Sequence, residues 1–235
     1  MHKSGKQWGT LLAFSVMTFA ALVLAGGQSA AATKRDSTPV KRILVLGDSL
    51  SAGLALKPRE AWPMLLAGKL HDAGLDFEIV NASQSGGTTA GGLARLPAHL
   101  KKRVDIFILE LGINDAWRGI PVEQIQRNLQ EIIDRVRAAN PGVHLIIAGM
   151  ELPLDNPDAY IRDFGQMFTD LAAKNQAALV PYLLQGVSGN PALNLLDRIH
   201  PNAAGHKILA HNVWAVLEPI AREVSESRTA SAKPR

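Results

Sequence analysis

Three side chains in this sequence have the types and the spacing that acyl transfer requires. Ser49 follows the apolar run 43–46 in the stretch VLGDSLSAG, where we expect a buried strand to end. Asp197 and His200 stand three positions apart in LDRIHPN, so one turn of chain would let the carboxylate reach the imidazole. A serine hydroxyl is a weak nucleophile until a base takes its proton, and a histidine held by a carboxylate is a suitable base near neutral pH. Together the three residues predict covalent catalysis through an acylated serine.

Acyl transfer also needs fixed hydrogen-bond donors, because the attacked carbonyl becomes an oxyanion. Gly86, in the glycine-rich stretch 81–92, can offer a backbone N–H that no side chain obstructs. Asn114, in the stretch ELGIND, can offer the N–H groups of its carboxamide. Ser49 is expected to begin a helix, where its own N–H and the helix dipole favour negative charge. Ser49, Gly86 and Asn114 are therefore the candidate oxyanion hole.

Each of these stretches also has a plainer structural interpretation. Ser49 could simply cap a helix, since serine is a preferred N-cap residue. Asn114 could belong to an ordinary turn, the glycines of 86–92 could form a flexible loop, and His200 could be a structural cap. Their order favours a shared site instead, because each stretch follows a predicted strand or precedes the last predicted helix.

Predicted strands and helices alternate along the chain around these stretches. Apolar runs typical of strands occur at 43–46, 77–80, 104–109 and 143–148, with a weaker fifth at 178–182. Helical spacing of apolar residues occurs at 59–72, 122–136 and 203–217. Such alternation predicts a parallel sheet with helices on both faces, and ligands bind these sheets beyond the carboxyl ends of the strands. We expect the candidate residues at that edge.

The four stretches resemble the conserved blocks of the GDSL/SGNH hydrolase superfamily, which are GDSLS, a glycine block, GxND and DxxH. NASQSGGTTAGGLARLP and IHPNAAGH are similar in particular to the periplasmic thioesterase/lysophospholipase and arylesterase-type branch. The resemblance covers about residues 41–220. It implies a three-layer α/β/α sandwich around a parallel sheet of about five strands, the flavodoxin-like SGNH fold. It also implies that Ser49 is the nucleophile, that Asp197 and His200 complete the triad, and that Gly86 and Asn114 join the oxyanion hole without a metal or cofactor.

The sequence departs from the pattern of that branch at three positions. Gly87 stands where the branch often has aspartate, which leaves open whether Gly86 or Gly87 is the donor. Ile113 and Arg198 stand where glycines are frequent, so we expect the wall of the cleft to differ. The stretch GDSLS also lacks the second glycine of the G-x-S-x-G elbow, which argues against an α/β-hydrolase.

The ends of the chain are expected to lie outside the catalytic domain. Residues 1–32 have the features of a signal peptide, with Lys3 and Lys6, an apolar run at 10–25 and small residues around Ala31. An uncleaved membrane anchor is the alternative, but this run is shorter than the roughly 20 residues that span a bilayer. We expect an exported protein, periplasmic or secreted, with no stable membrane anchor after processing. The remaining parts are a polar lead-in at 33–40, a hydrolase domain at 41–222 and a disordered tail at 223–235.

Composition removes several classes of function. The 235-residue chain has no cysteine, which excludes disulfides and thiolate metal sites. Its net charge is +4 and its basic residues are scattered, so no nucleic-acid partner is expected. His206 and His211 follow His200 closely, but their spacing does not share a helix face and no carboxylate cluster joins them, so no metal site is expected. The oligomeric state stays open.

The sequence thus predicts an exported serine esterase that hydrolyses acyl esters and thioesters through an acyl-enzyme on Ser49. Its expected substrate is a small-molecule or lipid acyl ester. Aromatic residues make up only 5% of the chain, which favours a groove for a medium acyl chain over a sugar site. Two alternatives remain, a carbohydrate O-acetylesterase with the same machinery and a binding protein on an inactive scaffold. The groove is expected to be lined by Leu111, Ile113, Ile120, Met150, Leu152, Leu154, Leu183, Leu184 and Val187.

Overall fold

The central feature of the fold is a five-stranded sheet in which all strands are parallel. The structure, a computed structural model, describes residues 40–152 and 159–231. The strand order is β2-β1-β3-β4-β5, so the chain reverses its direction of travel across the sheet between β1 and β3. The strands are β1 Lys41–Gly47, β2 Phe77–Asn81, β3 Ile106–Glu110, β4 His144–Ala148 and β5 Ala178–Val180. The predicted parallel sheet of about five strands is confirmed.

Helices cover both faces of this sheet. One layer contains α2 packed against α7, and the other contains α5 packed against α3 and α6. The helices are α1 Ser49–Ala52, α2 Trp62–Asp72, α3 Thr89–His99, α4 Ile113–Trp117, α5 Val122–Ala139, α6 Ala159–Lys174 and α7 Ala203–Ser231, with a 3₁₀ turn at Pro58–Glu60. The predicted three-layer α/β/α sandwich is therefore correct.

The core explains why the strands could be located as continuous apolar runs. Residues 43–46 of β1 are fully buried, and every residue of β3 is buried as well. Strands of a parallel sheet face helices on both sides, so they need no polar face. Each large apolar side chain buried here contributes about 1.5–3 kcal/mol to folding.

Helix α5 follows the periodicity that predicted it. Its buried stripe consists of Ile125, Leu129, Ile132, Ile133 and Val136. The residue that caps the end of the helix is Asn140, whose side-chain Oδ1 accepts a 2.7 Å hydrogen bond from the N–H of Val104, just before β3. The end of α5 is thereby fixed to the start of the strand that leads to the site.

The last helix extends beyond the expected domain boundary. α7 runs to Ser231, so residues 223–231 of the segment predicted as a disordered tail are helical. Leu217, Ala221 and Val224 are buried at helical spacing, which explains why the helix continues past residue 222. The predicted signal peptide, the lead-in up to residue 39 and residues 232–235 lie outside the described residues. Within the described ranges no helix is both long and apolar enough to cross a membrane.

The strand register brings the two site-bearing loops together. Gly47 at the end of β1 pairs with Glu110 at the end of β3. The stretches that follow these two residues carry Ser49 and Asn114, so both residues emerge where the strand order reverses. This is the position at which open α/β sheets bind their ligands.

Candidate active site

Ser49 lies in the first position of the short helix α1, directly beyond β1. The N-cap of this helix is Asp48, whose side chain accepts a 3.0 Å hydrogen bond from the N–H of Leu50. The interpretation of Ser49 as the helix cap is therefore wrong. Its hydroxyl instead faces the cavity described below.

Ser49, His200 and Asp197 form one chain of hydrogen bonds. The Oγ of Ser49 lies 2.9 Å from Nε2 of His200. The Nδ1 of the same imidazole lies 2.7 Å from Oδ2 of Asp197. Residues from the end of β1 and from the loop before α7, far apart in sequence, thus meet within hydrogen-bonding distance.

The carboxylate of Asp197 is held by the main chain as well as by the imidazole. Its Oδ1 accepts hydrogen bonds from the N–H groups of Ile199 at 2.9 Å and His200 at 3.0 Å. Hydrogen bonds from His200 and then Ile199 lower the pKa of Asp197 to about 2. The carboxylate therefore stays ionised near neutral pH, and it can accept a hydrogen bond from a protonated Nδ1 of His200.

Arg198 forms the tip of the turn that joins Asp197 to His200. Its φ is +60°, in the left-handed region that favours glycine. A glycine would adopt this conformation with less strain than the arginine does. Arg198 also lines the cavity, and the expectation that this residue alters the cleft wall stays a prediction.

The three predicted oxyanion donors differ in what they already bind. The N–H groups of Ser49 and Gly86 donate to no acceptor within residues 40–152 and 159–231. The Nδ2 of Asn114 donates one hydrogen bond, of 3.0 Å, to Oδ2 of Asp48, which leaves its second hydrogen available. The N–H of Gly87 donates to the carbonyl of Gln84 at 2.9 Å, so Gly87 is the weaker candidate of the two glycines.

Gly86 lies on an exposed loop and is not part of the cavity lining. Its φ is +74°, and its carbonyl accepts a 3.2 Å hydrogen bond from Arg118 in the loop after α4. Ser49 and Asn114 thus line the cavity, and Gly86 does not.

Asp115 ties the Asn114 segment to the glycine-rich loop. Its carboxylate accepts hydrogen bonds from the N–H of Thr89 at 2.9 Å and from the Thr89 hydroxyl at 2.6 Å. Asn128 of α5 donates to the same hydroxyl at 3.0 Å. The buried carboxylate of Asp115 thus joins α4 to the start of α3, a contact that the sequence did not indicate.

A cavity of about 540 Å³ opens beside Ser49. This is within the usual range for small-molecule sites. Its lining surface is mainly apolar and includes several polar side chains. The lining residues are Ser49, Leu50, Ile113, Asn114, Trp117, Glu151, Leu152, Tyr182, Leu184, Ser188, Arg198, Ile199 and His200.

The predicted acyl groove is only partly correct. Ile113, Leu152 and Leu184 line the cavity. Four other predicted residues are buried in the core, which makes the prediction wrong for Leu111, Met150, Leu183 and Val187. Ile120 packs against the core without lining the cavity, and Leu154 lies outside the described residues.

Comparison with known proteins gives this site a family. Residues 45–208 match the family model described as "GDSL-like Lipase/Acylhydrolase family". The chain belongs to this family. The matched segment begins in β1 and ends in α7, so it spans Ser49, Asn114, Asp197 and His200.

Two curated relatives of this GDSL hydrolase are named as an esterase and a thioesterase. The chain is 41% identical to Esterase TesA of Pseudomonas aeruginosa, over 85% of its own length and 94% of the relative's. It is 36% identical to Thioesterase 1/protease 1/lysophospholipase L1 of Escherichia coli, over 76% of the chain and 84% of the relative. The GDSL hydrolase is accordingly a serine ester hydrolase.

Solved structures show the same likeness. The crystal structure of TesA aligns with a TM-score of 0.73 at 41% identity, covering 77% of this chain and 99% of TesA. The psychrotrophic esterase EstA from Pseudoalteromonas sp., inhibited by monoethylphosphonate, aligns with a TM-score of 0.71 at 30% identity. That alignment covers 76% of this chain and 97% of EstA.

Sequence reasoning on this GDSL hydrolase missed a buried carboxyl group below Ser49. Glu110 is fully buried, and its Oε2 accepts hydrogen bonds from the N–H of Asp48 at 3.1 Å and from the hydroxyl of Ser51 at 2.6 Å. A Cβ at Gly47 would lie 2.5 Å from this oxygen, so only glycine leaves it room. An acidic residue directly after the apolar run of β3 was the available signal.

His206 has a structural place in the GDSL hydrolase. Its Nδ1 accepts a 3.1 Å hydrogen bond from the N–H of Trp62, which ties the start of α2 to α7. Burial lowers the pKa of His206 to about 4, so the ring is neutral at neutral pH. The described residues contain no cluster of three or more potential metal ligands, and the expectation that no metal or cofactor is needed stays a prediction.

Proposed function

We propose that this GDSL hydrolase is an exported esterase that cleaves acyl esters and thioesters through an acyl-enzyme on Ser49. The observation that carries the proposal is the hydrogen-bonded chain from Ser49 through His200 to Asp197 beside a largely apolar cavity. The curated relatives named as an esterase, an arylesterase and a thioesterase support the same substrate classes.

In the first half of the reaction, Oγ of Ser49 attacks the acyl carbonyl while its proton passes to Nε2 of His200. Because Asp197 is ionised, Nδ1 of His200 carries the proton that it shares with Asp197, and Nε2 is free to accept. The C–O or C–S bond then breaks, and the proton on Nε2 passes to the departing alcohol or thiol. Ser49 is left as an ester of the acyl group.

In the second half, water takes the place of the leaving group. His200 accepts a proton from the water while the water oxygen attacks the acyl carbon. The bond between the acyl carbon and Oγ of Ser49 then breaks, and His200 returns the proton to Oγ. The products are a carboxylic acid and the free serine. Both tetrahedral intermediates carry an oxyanion, to which we assign the N–H groups of Ser49, Gly86 and Asn114 as donors.

The acyl chain is assigned to the cavity beside Ser49. Ile113, Leu152 and Leu184 offer it an apolar surface. Each buried methylene contributes up to about 0.8 kcal/mol, so six more methylenes have a ceiling of about 5 kcal/mol. Imperfect fit and loop ordering reduce this ceiling, and we expect octanoyl esters to exceed acetyl esters by roughly tenfold to hundredfold in kcat/KM.

A carbohydrate O-acetylesterase is the second candidate, and one observation favours it. The indole of Trp117 is 58% exposed and lines the cavity, as does Tyr182. Aromatic faces at the edge of a site are suitable platforms for sugar rings. The low aromatic content of the chain is therefore a weaker argument against sugars than the sequence alone implied.

One substrate panel separates the two candidates. We would measure kcat/KM for p-nitrophenyl esters from acetate to laurate, for a matched acyl thioester series and for acetylated xylan. A maximum at medium chain length, with slow release of acetate from xylan, supports the acyl esterase. A steady fall from acetate onward, or faster release from xylan, contradicts it and favours the carbohydrate esterase.

The export proposal rests on the sequence of the first 32 residues. Cleavage there would release a protein whose mature N-terminus falls between Ala31 and Lys34. Mass spectrometry of periplasmic and secreted material tests this. An intact Met1 recovered in the membrane fraction would contradict cleavage and favour the anchor.

A further inference from the structure

Two carboxyl groups that the proposed mechanism does not use are buried directly below the nucleophile. Asp48 follows β1 and Glu110 ends β3, and neither side chain has any exposed surface. Neither residue lines the cavity, so neither is placed to contact substrate. Burying two acidic groups side by side lowers the stability of the fold. Their presence at this position therefore suggests that they have a function.

Glu110 holds the turn of chain on both sides of Ser49. Its Oε2 accepts the N–H of Asp48 at 3.1 Å and the hydroxyl of Ser51 at 2.6 Å. Because these two donors flank the nucleophile, the carboxyl group fixes the path of the chain through Ser49. The N–H of Ser49 is thereby left without an acceptor in the described structure and free for the oxyanion.

Asp48 extends the same hydrogen-bonded system to a second oxyanion donor. Its Oδ1 accepts the N–H of Leu50 at 3.0 Å, and its Oδ2 accepts Nδ2 of Asn114 at 3.0 Å. One hydrogen of the Asn114 carboxamide is used in this way, and the geometry of the amide fixes the direction of the other. Glu110, Asp48 and Asn114 therefore form a continuous support under the oxyanion hole.

The surroundings of Glu110 favour its uncharged form. Its Oε1 is buried and has no hydrogen-bond partner in the described part of the chain. Burial and then the charge of Asp48 raise the pKa of Glu110 well above its ordinary value, and burial raises the pKa of Asp48 to about 6. The other charged or titratable groups facing the pair are Arg95 of α3, which donates to the carbonyl of Gly47 at 2.7 Å, and His200.

We propose that Glu110 is a positioning residue for the oxyanion hole. It acts on the N–H of Ser49 through the main chain, and on Asn114 through Asp48. The inference rests on the proposed function, because it assigns a role within the same acyl transfer. Glu110 touches no reacting atom, and its effect is to fix the directions in which the donors point.

A purely structural role for Glu110 predicts a different result. In that case, its removal lowers stability but leaves the turnover of the folded protein unchanged. A positioning role predicts a loss in kcat with little change in KM, because the donors strengthen in the transition state. The two roles are therefore separable by kinetics on folded variants.

The test compares Glu110→Gln, Glu110→Ala and Ser51→Ala in the full chain, with p-nitrophenyl butyrate as substrate. Glutamine has the shape and neutrality of a protonated glutamate, and we expect it to keep kcat within about threefold. Glu110→Ala should lower kcat by roughly tenfold to hundredfold with KM changed by less than about threefold. Ser51→Ala removes one of the two hydrogen bonds and should lower kcat by roughly threefold to tenfold.

Asp105→Asn is the matched control. Asp105 is a buried acid directly before the start of β3, the strand that Glu110 ends, and it accepts the N–H of Arg42 at 2.8 Å. Its replacement should lower the melting temperature without lowering kcat. Circular dichroism and thermal melts establish which variants are folded.

Folded Glu110→Ala with the kcat of the wild type would overturn the inference. A kcat of Glu110→Gln as low as that of Glu110→Ala would also overturn the inference, since a negative charge on residue 110 would then be required. Where Glu110→Ala does not fold, a tenfold loss in Glu110→Gln or full kcat in Ser51→Ala decides against it. Failure of the proposed function gives a separate result, a folded wild type that neither hydrolyses the ester nor reacts with a fluorophosphonate.

Discussion

The carboxamide of Asn114 donates a 3.0 Å hydrogen bond to the carboxylate of Asp48, the residue that precedes the nucleophile. This bond links the loop after β3 to the loop after β1. A donor that is fixed in this way needs no reorganisation when negative charge develops on the substrate. In the proposed mechanism, the hydrogen bond between Asn114 and Asp48 therefore contributes to the rate of the chemical step.

Asn114→Ala should lower kcat by about 10²- to 10³-fold, because one oxyanion donor is lost. KM should change little, since the donor acts mainly in the transition state. Steady-state kinetics with p-nitrophenyl butyrate measure both constants. An effect confined to KM would show that Asn114 is an ordinary substrate contact.

Asp197→Asn should give a folded protein whose kcat is lower by on the order of 10³- to 10⁴-fold. The new Oδ1 can still accept the N–H groups of Ile199 and His200, so the turn is preserved. The new Nδ2 donates toward Nδ1 of His200 and forces the proton onto Nε2, which then cannot accept from Ser49. Activity within tenfold of the wild type, in a protein with an unchanged melting temperature, would refute this role.

His206→Gln should change how stability depends on pH. The folded-state pKa of His206 is about 4, below the ordinary value of 6.5, so its contribution to stability is present above about pH 6.5 and is lost as the pH falls through about 4. The loss has a ceiling of about 3 kcal/mol. Glutamine does not titrate and can accept the N–H of Trp62.

The quantity to measure is the difference in unfolding free energy between wild type and His206→Gln, from urea titrations between about pH 7 and pH 4. Asp48, whose raised pKa gives stability that is lost as the pH rises through about 6, contributes equally to both proteins and cancels. The difference should move in favour of the variant on acidification. If the difference in unfolding free energy stays constant with pH, the lowered pKa of His206 is contradicted.

Arg198→Gly should be more stable than Arg198→Ala by about 1 kcal/mol, because the residue has a φ of +60°. Both variants lose the side chain beyond Cβ, so the comparison tests the effect of a Cβ at this backbone conformation. Thermal melts with known enthalpies give the difference. Equal stability of the two variants would show that the turn does not keep this conformation in solution.

The strands and the triad could be predicted from the sequence for physical reasons. Strands covered on both faces are continuous apolar runs, so β1 and β3 were visible without any long-range information. Asp197 and His200 are linked by local spacing that one turn satisfies. Asn114 was found because a carboxamide after a strand end is a group that an oxyanion requires.

The support under the site could not be predicted in this way. Glu110 reaches Asp48 and Ser51 only because the register of β1 and β3 places Gly47 opposite Glu110. This register depends on residues that are far apart in sequence. The number of residues that line the groove was overestimated for a related reason. Side chains after a strand end point in different directions, so Leu152 lines the cavity while Met150 lies in the core.

The helical end of the chain shows a further limit. Polar residues dominate after residue 222, and their composition resembles that of a disordered tail. Val224 nevertheless continues the buried stripe of α7. A single apolar residue at the correct spacing is too weak a signal in sequence, although it is sufficient for a helix that is already packed.

The central claim is that Ser49 is the nucleophile, and covalent labelling tests it most directly. The full chain would be treated with a fluorophosphonate and analysed by intact mass and peptide mapping, beside Ser49→Ala and the control Ser83→Ala, whose serine lies outside the cavity lining. The account predicts one adduct per chain on the peptide containing Ser49 in the wild type and in Ser83→Ala. It predicts no adduct in Ser49→Ala, whose turnover should be lower by at least about 10³-fold. An adduct on a different serine, or undiminished labelling of folded Ser49→Ala, would contradict the account.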